Sequence, residues 1–262
     1  MIPKKIHYCW LSGDPFPELI ARCIESWEKY LPDYEFILWD TNRFNMDDSV
    51  WVSEAFETKK YAFAADYIRL YAVYHHGGIY LDTDIEVLKS FNDLLHLPYF
   101  LGSEGQGIIE AGVFGAEKNT PWIAECLKHY DNRAFIKIDG SLDQATLPRI
   151  MMQQVKQSYI LEELTSPEIK TLDYSAKEEK KVYMFPQDYF CAKNHGTGMI
   201  EKTENTYSIH HFAMSWVSKK RTVLPNIKRK LMGVIGVKAV NNLILLFGFR
   251  KLKRKFKRPK NN

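Results

Sequence analysis

The segment that most constrains this chain is a helix-length run that ends at two glycines and continues into a short apolar strand and two aspartates. The run covers about residues 59–76, where apolar residues recur at helical spacing. Gly77-Gly78 follows, as expected for a helix C-cap. Ile79-Tyr-Leu then predicts a brief strand. The sequence therefore predicts a helix and strand that deliver Asp82 and Asp84 at the carboxyl end of the strand.

Three segments near the amino terminus have the order strand, helix, strand. Residues 5–10 are mostly apolar and aromatic, 17–30 carry apolar residues at helical spacing, and 34–39 form a second apolar run. This order implies a parallel sheet, in which ligands bind at the carboxyl ends of the strands. We therefore expect an α/β fold with its site at that edge. Further strands are expected at 100–102, 112–115 and 182–185, and a further helix at 121–130.

Composition and cysteine spacing exclude several classes of protein. The 262 residues are 45% hydrophobic and 26% charged, which is typical of a folded domain and not of a disordered or fibrous chain. Four cysteines are scattered without a C-x-x-C pair, so neither a zinc site nor a disulfide scaffold is expected. The amino terminus lacks the apolar core of a secretory signal, and we expect a cytoplasmic protein.

Asp82 and Asp84 are separated by one residue, and at the end of a strand their carboxylates can converge on one divalent ion. Their oxygens are the ligands that Mg²⁺ or Mn²⁺ prefers, and such an ion neutralises a diphosphate and helps it leave. The alternative is a polar strand end with two solvated carboxylates. A bare D-x-D favours that alternative, so the surrounding residues decide between the two.

Asp66 and Arg69 lie three residues apart on the predicted helix and share one face. An Asp accepts hydrogen bonds from two adjacent sugar hydroxyls, and the planar guanidinium of Arg suits phosphate or sugar hydroxyls. The alternative is an ion pair on the helix surface, which contributes little to stability.

Several motifs in this order resemble one family. They comprise residues 2–10, 65–69, 77–84 and 210–216, and the region 2–95 matches closely. Together they resemble the DXD-containing sugar transferases of glycosyltransferase family 32. This family includes bacterial capsular polysaccharide transferases and yeast initiating mannosyltransferases, and is related to the glucosylating domains of large clostridial toxins.

The resemblance implies donor-binding roles for five residues. Trp10 would stack on the nucleotide base at the end of the first strand. Asp66 and Arg69 would hold the donor sugar and stabilise the donor complex. Asp82 would contact the ribose and the donor sugar, and Tyr80 would belong to the same donor site.

The resemblance also implies a divalent ion, Mn²⁺ or Mg²⁺. Asp84 would bind it directly, and Asp82 would reach it, in some relatives through water. His210 would add a late ligand, although His211 beside it is an alternative.

Two further places in the chain receive roles from the same resemblance. Ser215 and Trp216 would close over the diphosphate. Gln144, together with Asp139-Gly140 and Asp143, falls where retaining relatives place residues near the anomeric carbon and the acceptor.

For the whole chain the resemblance implies an α/β fold of the GT-A type, with a mixed, mostly parallel sheet flanked by helices. It implies a retaining transferase that moves a hexose from a nucleotide sugar, UDP-linked by resemblance, to a glycan or lipid-linked oligosaccharide in surface or capsular polysaccharide synthesis. An internal-return mechanism asks least of the protein, because the leaving phosphate itself accepts the proton of the acceptor.

The last 44 residues differ in charge from the rest of the chain. Residues 219–262 hold 15 of the 36 Lys and Arg residues and none of the 32 Asp and Glu residues. An apolar patch at 231–249 is interrupted by Lys238 and two asparagines, so it is not a continuous span. We expect a transferase domain over 1–218 and a basic amphipathic tail that binds anionic lipid on the inner face of the cytoplasmic membrane. Binding to nucleic acid and solvated disorder are the alternatives, and we expect no nucleic-acid partner.

Two other functions remain open from the residues alone. A phosphatase or mutase of the haloacid dehalogenase type would use Asp82 as nucleophile. That family needs a later acidic pair in a Gly-Asp setting, whereas the only Gly-Asp here is Gly13-Asp14, upstream. A non-catalytic carbohydrate-binding adaptor at a membrane would bind sugars without turnover.

Overall fold

The computed structural model describes residues 1–174, 180–194, 197–213, 236 and 239–240. The chain divides into two compact units, one made of Met1–Lys193 and Ile200–Trp216 and the other of Asn194–Met199 and Val217–Asn262. In the second unit the amide of Gly198 donates to the carbonyl of Asn194 at 2.7 Å, which closes a turn. Most of the predicted tail, 219–262, lies outside the described residues, and the 1–218 boundary stays a prediction.

The first unit alternates helices and strands. The strands are β1 Lys5–Cys9, β2 Glu35–Trp39, β3 Gly78–Leu81, β4 Ile85–Val87, β5 Tyr99–Gly105, β6 Ile108–Ala116, β7 Ile160–Glu163, β8 Lys181–Met184 and β9 Ser208–His210. The helices are α1 Glu18–Tyr30, α2 Val50–Glu57, α3 Tyr61–His76, α4 Pro121–Lys128, α5 Leu147–Ser158, α6 Ser166–Lys170 and α7 Gln187–Phe190. Each strand and helix predicted from the sequence is present within a few residues of its predicted bounds.

A five-stranded sheet with the order β2-β1-β3-β6-β5 forms the centre of this unit. β1 pairs in parallel with both β2 and β3, whereas β6 is antiparallel to β3 and to β5. Four strands therefore run in one direction and β6 in the other. The predicted α/β fold, with a mixed, mostly parallel sheet flanked by helices, is confirmed.

Helices cover both faces of the sheet because its strands are apolar on both sides. On one face, Tyr80 and Phe114 pack with buried residues of α2, α3, α4 and α5. On the other face, the neighbouring strand residues Ile79 and Val113 pack with Trp27 of α1. Successive residues of a strand point to opposite faces, so both faces of the central strands lie in the core.

Several elements were not predicted, among them α2, β4, α5 and β9. Ser49 accepts a hydrogen bond from the amide of Val52 and begins α2, which Lys59, with a φ of 56°, separates from α3. β4 pairs with β9 in an antiparallel ribbon outside the main sheet, with Ile85 opposite His210. This ribbon places residues more than 120 positions apart next to each other.

Among the described residues, the helices are too short or too polar for any of them to cross a bilayer.

Candidate active site

The two glycines before β3 are required by the backbone. Gly77 and Gly78 have φ values of 63° and 113°, which residues with a Cβ rarely adopt. A Cβ on Gly78 would lie 2.8 Å from the carbonyl oxygen of Lys5. The helix therefore ends abruptly, and β3 begins hard against β1.

His7 connects three parts of the sheet behind this turn. Its ring is fully buried, its Nε2 lies 2.8 Å from the carbonyl oxygen of Gly77, and its Nδ1 accepts from the indole of Trp39 at 3.1 Å. Because Nδ1 is an acceptor, Nε2 carries the proton and donates to Gly77. Burial lowers the pKa of His7 to about 4, so the ring is neutral at physiological pH.

Asp82 and Asp84 lie in a tight turn between β3 and β4. The amide of Asp82 donates to the carbonyl of Gly112 at 2.8 Å, and the amide of Ile85 donates back to the carbonyl of Asp82 at 2.9 Å. The backbone of the motif is thereby attached to β6 on one side and closed on itself on the other. Both carboxylates emerge at the carboxyl end of β3, as predicted.

Arg69 joins α3 to this turn. Its Nη1 lies 3.0 Å from Asp82 Oδ2 and donates to the carbonyl of Ala111 at 2.9 Å, and its Nη2 lies 3.2 Å from Asp66 Oδ1. Arg69 and Asp66 are only 6% and 8% exposed, so the alternative of a surface ion pair is wrong. Burial raises the pKa of Asp66 to about 7 despite the adjacent guanidinium.

Tyr80 completes this half of the site. Its hydroxyl donates to Asp82 Oδ1 at 3.0 Å, and the guanidinium of Arg69 lies 4.7 Å from the centre of its ring. Both oxygens of Asp82 therefore have protein partners. Burial raises the pKa of Asp82, although the guanidinium of Arg69 opposes this.

Asp84 faces the β9 side of the site. His210 Nε2 lies 3.4 Å from Asp84 Oδ1, and the amide of Ala213 donates to Asp84 Oδ2 at 2.7 Å. Burial would raise the pKa of Asp84, but the charge and hydrogen bond of His210 together with the amide of Ala213 outweigh it, and the pKa falls to about 2. Asp84 thus remains a carboxylate throughout the neutral range.

The structure distinguishes the two adjacent histidines. His210 lies against Asp84, whereas His211 Nε2 lies 2.7 Å from Glu86 Oε2. Along β9 successive side chains alternate, which explains why only one of the two points toward the D-x-D turn. His210 is therefore the histidine that the fold brings to the carboxylates.

Asp82, Asp84 and His210 can supply the ligands of one cation. Their ligand atoms all lie within 4.8 Å of one another in the part of the chain that the structure describes. Carboxylate oxygen with one imidazole nitrogen suits Mn²⁺. A Cβ at Gly112 would meet Asp82 Oδ2 at 2.9 Å and His210 Cε1 at 3.0 Å, so this glycine keeps the space between them open. The side chains present fit the predicted ion.

Glu110, which sequence reasoning missed, lies behind His210. Its carboxylate oxygens lie 3.0 and 3.1 Å from His210 Nδ1, and the amide of Gly112 donates to Oε1 at 2.6 Å. Burial would raise its pKa, but the charge of His210 outweighs it and lowers the pKa. A signal was present in the sequence, because Glu110 is the single charged residue in the otherwise apolar run of β6.

Two other side chains lie close to this cluster. Cys191 forms a second group of candidate ligands with Glu110 and His210. Burial raises the pKa of the Cys191 thiol far above its usual range. Burial, reinforced by the charge of Glu110, raises the pKa of the partly buried Glu104 to about 7.

Trp10 lies where predicted, directly after β1. Its amide donates to the carbonyl of Trp39 at 3.2 Å, its indole donates to the carbonyl of Asp14 at 2.6 Å, and its ring meets Phe16 edge-on at 5.0 Å. The ring remains partly exposed, as a stacking surface must be.

Of the other predicted residues, Gln144, Asp143 and Asp139 make no contact with the two carboxylates in the part of the chain that the structure describes. Gln144 is exposed and makes no hydrogen bond to the cluster within the described residues. Asp143 beside it is buried against Arg133, at 2.6 Å, and Asp139 lies in an exposed turn. Ser215 and Trp216 lie outside the described residues.

Comparison with known proteins identifies the region that contains the site. Residues 17–101 match the family described as the glycosyltransferase sugar-binding region containing the DXD motif. Inositol phosphoceramide mannosyltransferase 3 of Schizosaccharomyces pombe is 30% identical over 138 residues, which cover 51% of this chain and 38% of that protein. Mannosyl phosphorylinositol ceramide synthase SUR1 of Saccharomyces cerevisiae is 32% identical over 143 residues, which cover 52% and 37%. The matched regions therefore span less than two fifths of these relatives.

Solved structures were compared as well. The PaToxG glycosyltransferase aligns over 65% of this chain and 72% of its own, with a TM-score of 0.45 and 18% identity. The sequence comparisons confirm the predicted resemblance to DXD-containing sugar transferases. They do not support the haloacid dehalogenase alternative.

Proposed function

Since residues 17–101 form a DXD-type sugar-transferase region, we propose that this chain is a metal-dependent, retaining glycosyltransferase that uses a nucleotide-sugar donor. One structural observation supports the proposal in addition to the family match. The fold brings His210 Nε2 to within 3.4 Å of Asp84 Oδ1, while Arg69 contacts Asp82. A solvated pair of carboxylates would need neither neighbour.

The site divides into a sugar side and a diphosphate side. Asp66 and Arg69 are buried next to Asp82 and provide a carboxylate and a planar cation for the hydroxyls of the donor sugar. Because the buried guanidinium of Arg69 already compensates the charge of Asp82, Asp84 and His210 are the stronger ligands for the ion. When bound there, a divalent ion would supply positive charge against the diphosphate. Trp10 offers the surface for the base.

Transfer with retention then needs little further chemistry from the protein. The bond between the anomeric carbon and the β-phosphate oxygen breaks, and a bond to the acceptor oxygen forms on the same face of the sugar. The proton of the acceptor passes to the leaving phosphate. The Arg69 guanidinium is fixed between Asp66 and Asp82. It would remain next to the sugar and take no part in bond making or breaking.

We also propose an identity for the donor and for the acceptor. A UDP-linked hexose is the donor that the sequence resemblance favours, whereas the names of the two yeast relatives indicate mannosyl transfer to a ceramide lipid. A lipid-borne acceptor agrees with the basic residues 219–262. We propose attachment to the cytoplasmic face of an anionic membrane, where surface polysaccharide is assembled on lipid carriers.

The test of activity is release of nucleoside diphosphate from a panel of nucleotide-linked glucose, galactose and mannose, with Mn²⁺ and with EDTA. Asp84→Asn should lose most of the release, because the stronger carboxylate ligand becomes neutral. The matched control is Asp33→Asn. Asp33 is exposed, pairs with Lys4 and lies outside the candidate site. The transferase proposal is wrong if no donor is consumed by the wild-type chain, or if Asp84→Asn is as active as the control.

The test of membrane binding is co-sedimentation of the whole chain with anionic and with neutral vesicles. Anionic vesicles should retain it, and replacement of the basic residues in 250–260 by Gln should release it. Equal retention by both vesicle types would contradict the electrostatic mechanism.

A further inference from the structure

Glu110 is a buried carboxylate that faces the back of the candidate cation site. It is 1% exposed and lies on β6, the strand that also anchors the D-x-D turn through the carbonyl of Gly112. We propose that Glu110 is a positioning residue: by accepting the Nδ1 hydrogen of His210, it holds the imidazole so that Nε2 faces Asp84 and the cation. This inference rests on the proposed function and adds a residue that neither the motif nor the family region, 17–101, contains.

The contacts of His210 lie on opposite sides of its ring. Nδ1 is 3.0 and 3.1 Å from the two oxygens of Glu110, and Nε2 is 3.4 Å from Asp84 Oδ1. A neutral imidazole has one N–H and one lone pair, and the group bonded to one nitrogen decides which nitrogen can bind a metal. With one hydrogen held on Nδ1 by Glu110, Nε2 is the nitrogen that faces Asp84, and it is the nitrogen that would give up its hydrogen to a bound cation.

Glu110 is itself fixed in place. The amide of Gly112 donates to its Oε1 at 2.6 Å. Backbone pairing of β4 with β9 fixes the Cα of His210 opposite Ile85, and the ring of Phe212 stacks on the imidazole at 4.0 Å. Stacking does not decide which ring nitrogen faces Asp84, whereas a hydrogen bond from Nδ1 to Glu110 does, as carboxylates behind metal-bound histidines do.

The residue directly after β9 provides a matched control. His211 and Glu86 form a pair of the same chemistry, with Nε2 at 2.7 Å from Oε2. That pair is not part of the cluster of candidate metal ligands. Glu86→Gln therefore removes a carboxylate from a histidine of the same ribbon without touching the site.

The test compares Mn²⁺ affinity, measured by electron paramagnetic resonance of the free ion, in the wild-type chain, Glu110→Gln and Glu86→Gln. Loss of a carboxylate behind a metal-bound histidine typically weakens metal binding by about 10- to 100-fold, and we expect this for Glu110→Gln. Glu86→Gln should bind as the wild-type chain does. If Glu110→Gln and Glu86→Gln bind Mn²⁺ equally well, the inference is wrong.

A second variant and a second measurement test the hydrogen bond separately from the charge. Glu110→Asp keeps the charge but withdraws the carboxylate by one methylene, and it should also weaken Mn²⁺ binding if the hydrogen bond is what matters. In the Mn²⁺-free protein, ¹H–¹⁵N spectra of histidine rings should show a slowly exchanging Nδ1 proton on His210, assigned by its loss in His210→Gln. This signal should disappear in both Glu110 variants and persist in Glu86→Gln.

The two readouts also separate this inference from the proposed function. If the wild-type chain does not bind Mn²⁺, the proposed metal dependence fails, and the imidazole signal still decides whether Glu110 holds His210. Persistence of that signal in Glu110→Gln would overturn the positioning role whatever the activity.

Discussion

Arg69 Nη1 lies 3.0 Å from Asp82 Oδ2, and this contact joins the helix before the D-x-D motif to the motif itself. The ion pair is buried and has a second partner in Asp66, so the guanidinium lies between two carboxylates. One half of the motif is therefore bound to protein before any ligand arrives, while Asp84 on the other half remains the one directed at His210.

Arg69→Lys should lower the transfer rate, because an ammonium cannot make the forked contacts to Asp66, Asp82 and the carbonyl of Ala111 at once. Loss of one charge-assisted hydrogen bond costs about 1.5–3 kcal/mol, which corresponds to roughly a 10- to 100-fold effect. Steady-state kinetics with the donor found in the panel would measure it. Arg133→Lys, at the partly exposed pair with Asp143, should leave the rate unchanged. Equal rates for both variants would contradict the role of Arg69.

Asp66→Asn should change the pH dependence of stability in the ligand-free protein. The pKa of Asp66 in the folded chain, about 7, lies above its ordinary value of 3.8, so the folded state binds more protons than the unfolded state between these values. Its contribution to the free energy of unfolding is therefore present below about pH 4 and falls as the pH rises to 7, by at most about 1.4 kcal/mol per unit.

Denaturant titrations from pH 4 to 8 would measure this effect. The difference in stability between Asp66→Asn and the wild-type chain should shift in favour of the variant as the pH rises through that window. A difference that is constant with pH would show that Asp66 is ionised throughout.

Gly112→Ala should reduce Mn²⁺ binding and transfer more than it reduces the stability of the fold. The added Cβ would lie 2.8 Å from Glu110 Oε1 and 2.9 Å from Asp82 Oδ2, so both carboxylates must move. We expect loss of most Mn²⁺ binding and transfer, with a smaller decrease in thermal stability. Ala111→Gly, one residue earlier in β6, is a control that adds no atom. The prediction fails if Gly112→Ala binds Mn²⁺ with unchanged affinity.

His7→Phe should lower stability at neutral pH, since it leaves the indole of Trp39 and the carbonyl of Gly77 without their buried partner. Each such unpaired group costs about 1–3 kcal/mol. The pKa of His7, about 4 when folded, lies below its ordinary value of 6.5, so the wild-type chain should lose stability as the pH falls from 6.5 to 4.

The variant should lack this part of the acid dependence, which urea titrations across the same range would detect. His96→Gln, at an exposed position, should keep the slope of the wild-type chain. Parallel pH profiles for His7→Phe and the wild-type chain would contradict the buried, neutral state of His7.

Local sequence predicted those parts of the fold that depend on neighbours in the chain. The helical spacing of α3, Gly77-Gly78 and the apolar strand before Asp82 all act over a few residues, and each was predicted correctly. The segment that became α2 is rich in Val, Trp and Phe, which also suit strands, and its helical cap at Ser49 escaped notice. Motif and context thus predicted the Arg69 side of the site.

The His210 side could not be predicted in the same way. Glu110 lies 100 residues from its partner, and the pairing of β4 with β9 depends on contacts across the whole unit. The sequence alone cannot tell which of the two adjacent histidines faces Asp84. The pairing of β9 with β4 decides this. Gln144 was assigned by resemblance in a stretch without a matching motif, and no contact joins it to the site among the described residues.

The pairing of β4 with β9 determines when the site can form during translation. On the ribosome, residues 1–116 contain Arg69, the D-x-D turn and Glu110, but His210 is translated only much later. A chain interrupted before β9 would retain the motif and lack the imidazole. Competence to bind the ion as proposed thus requires translation past His210, so that products ending before this residue could not hold a nucleotide sugar in the same way.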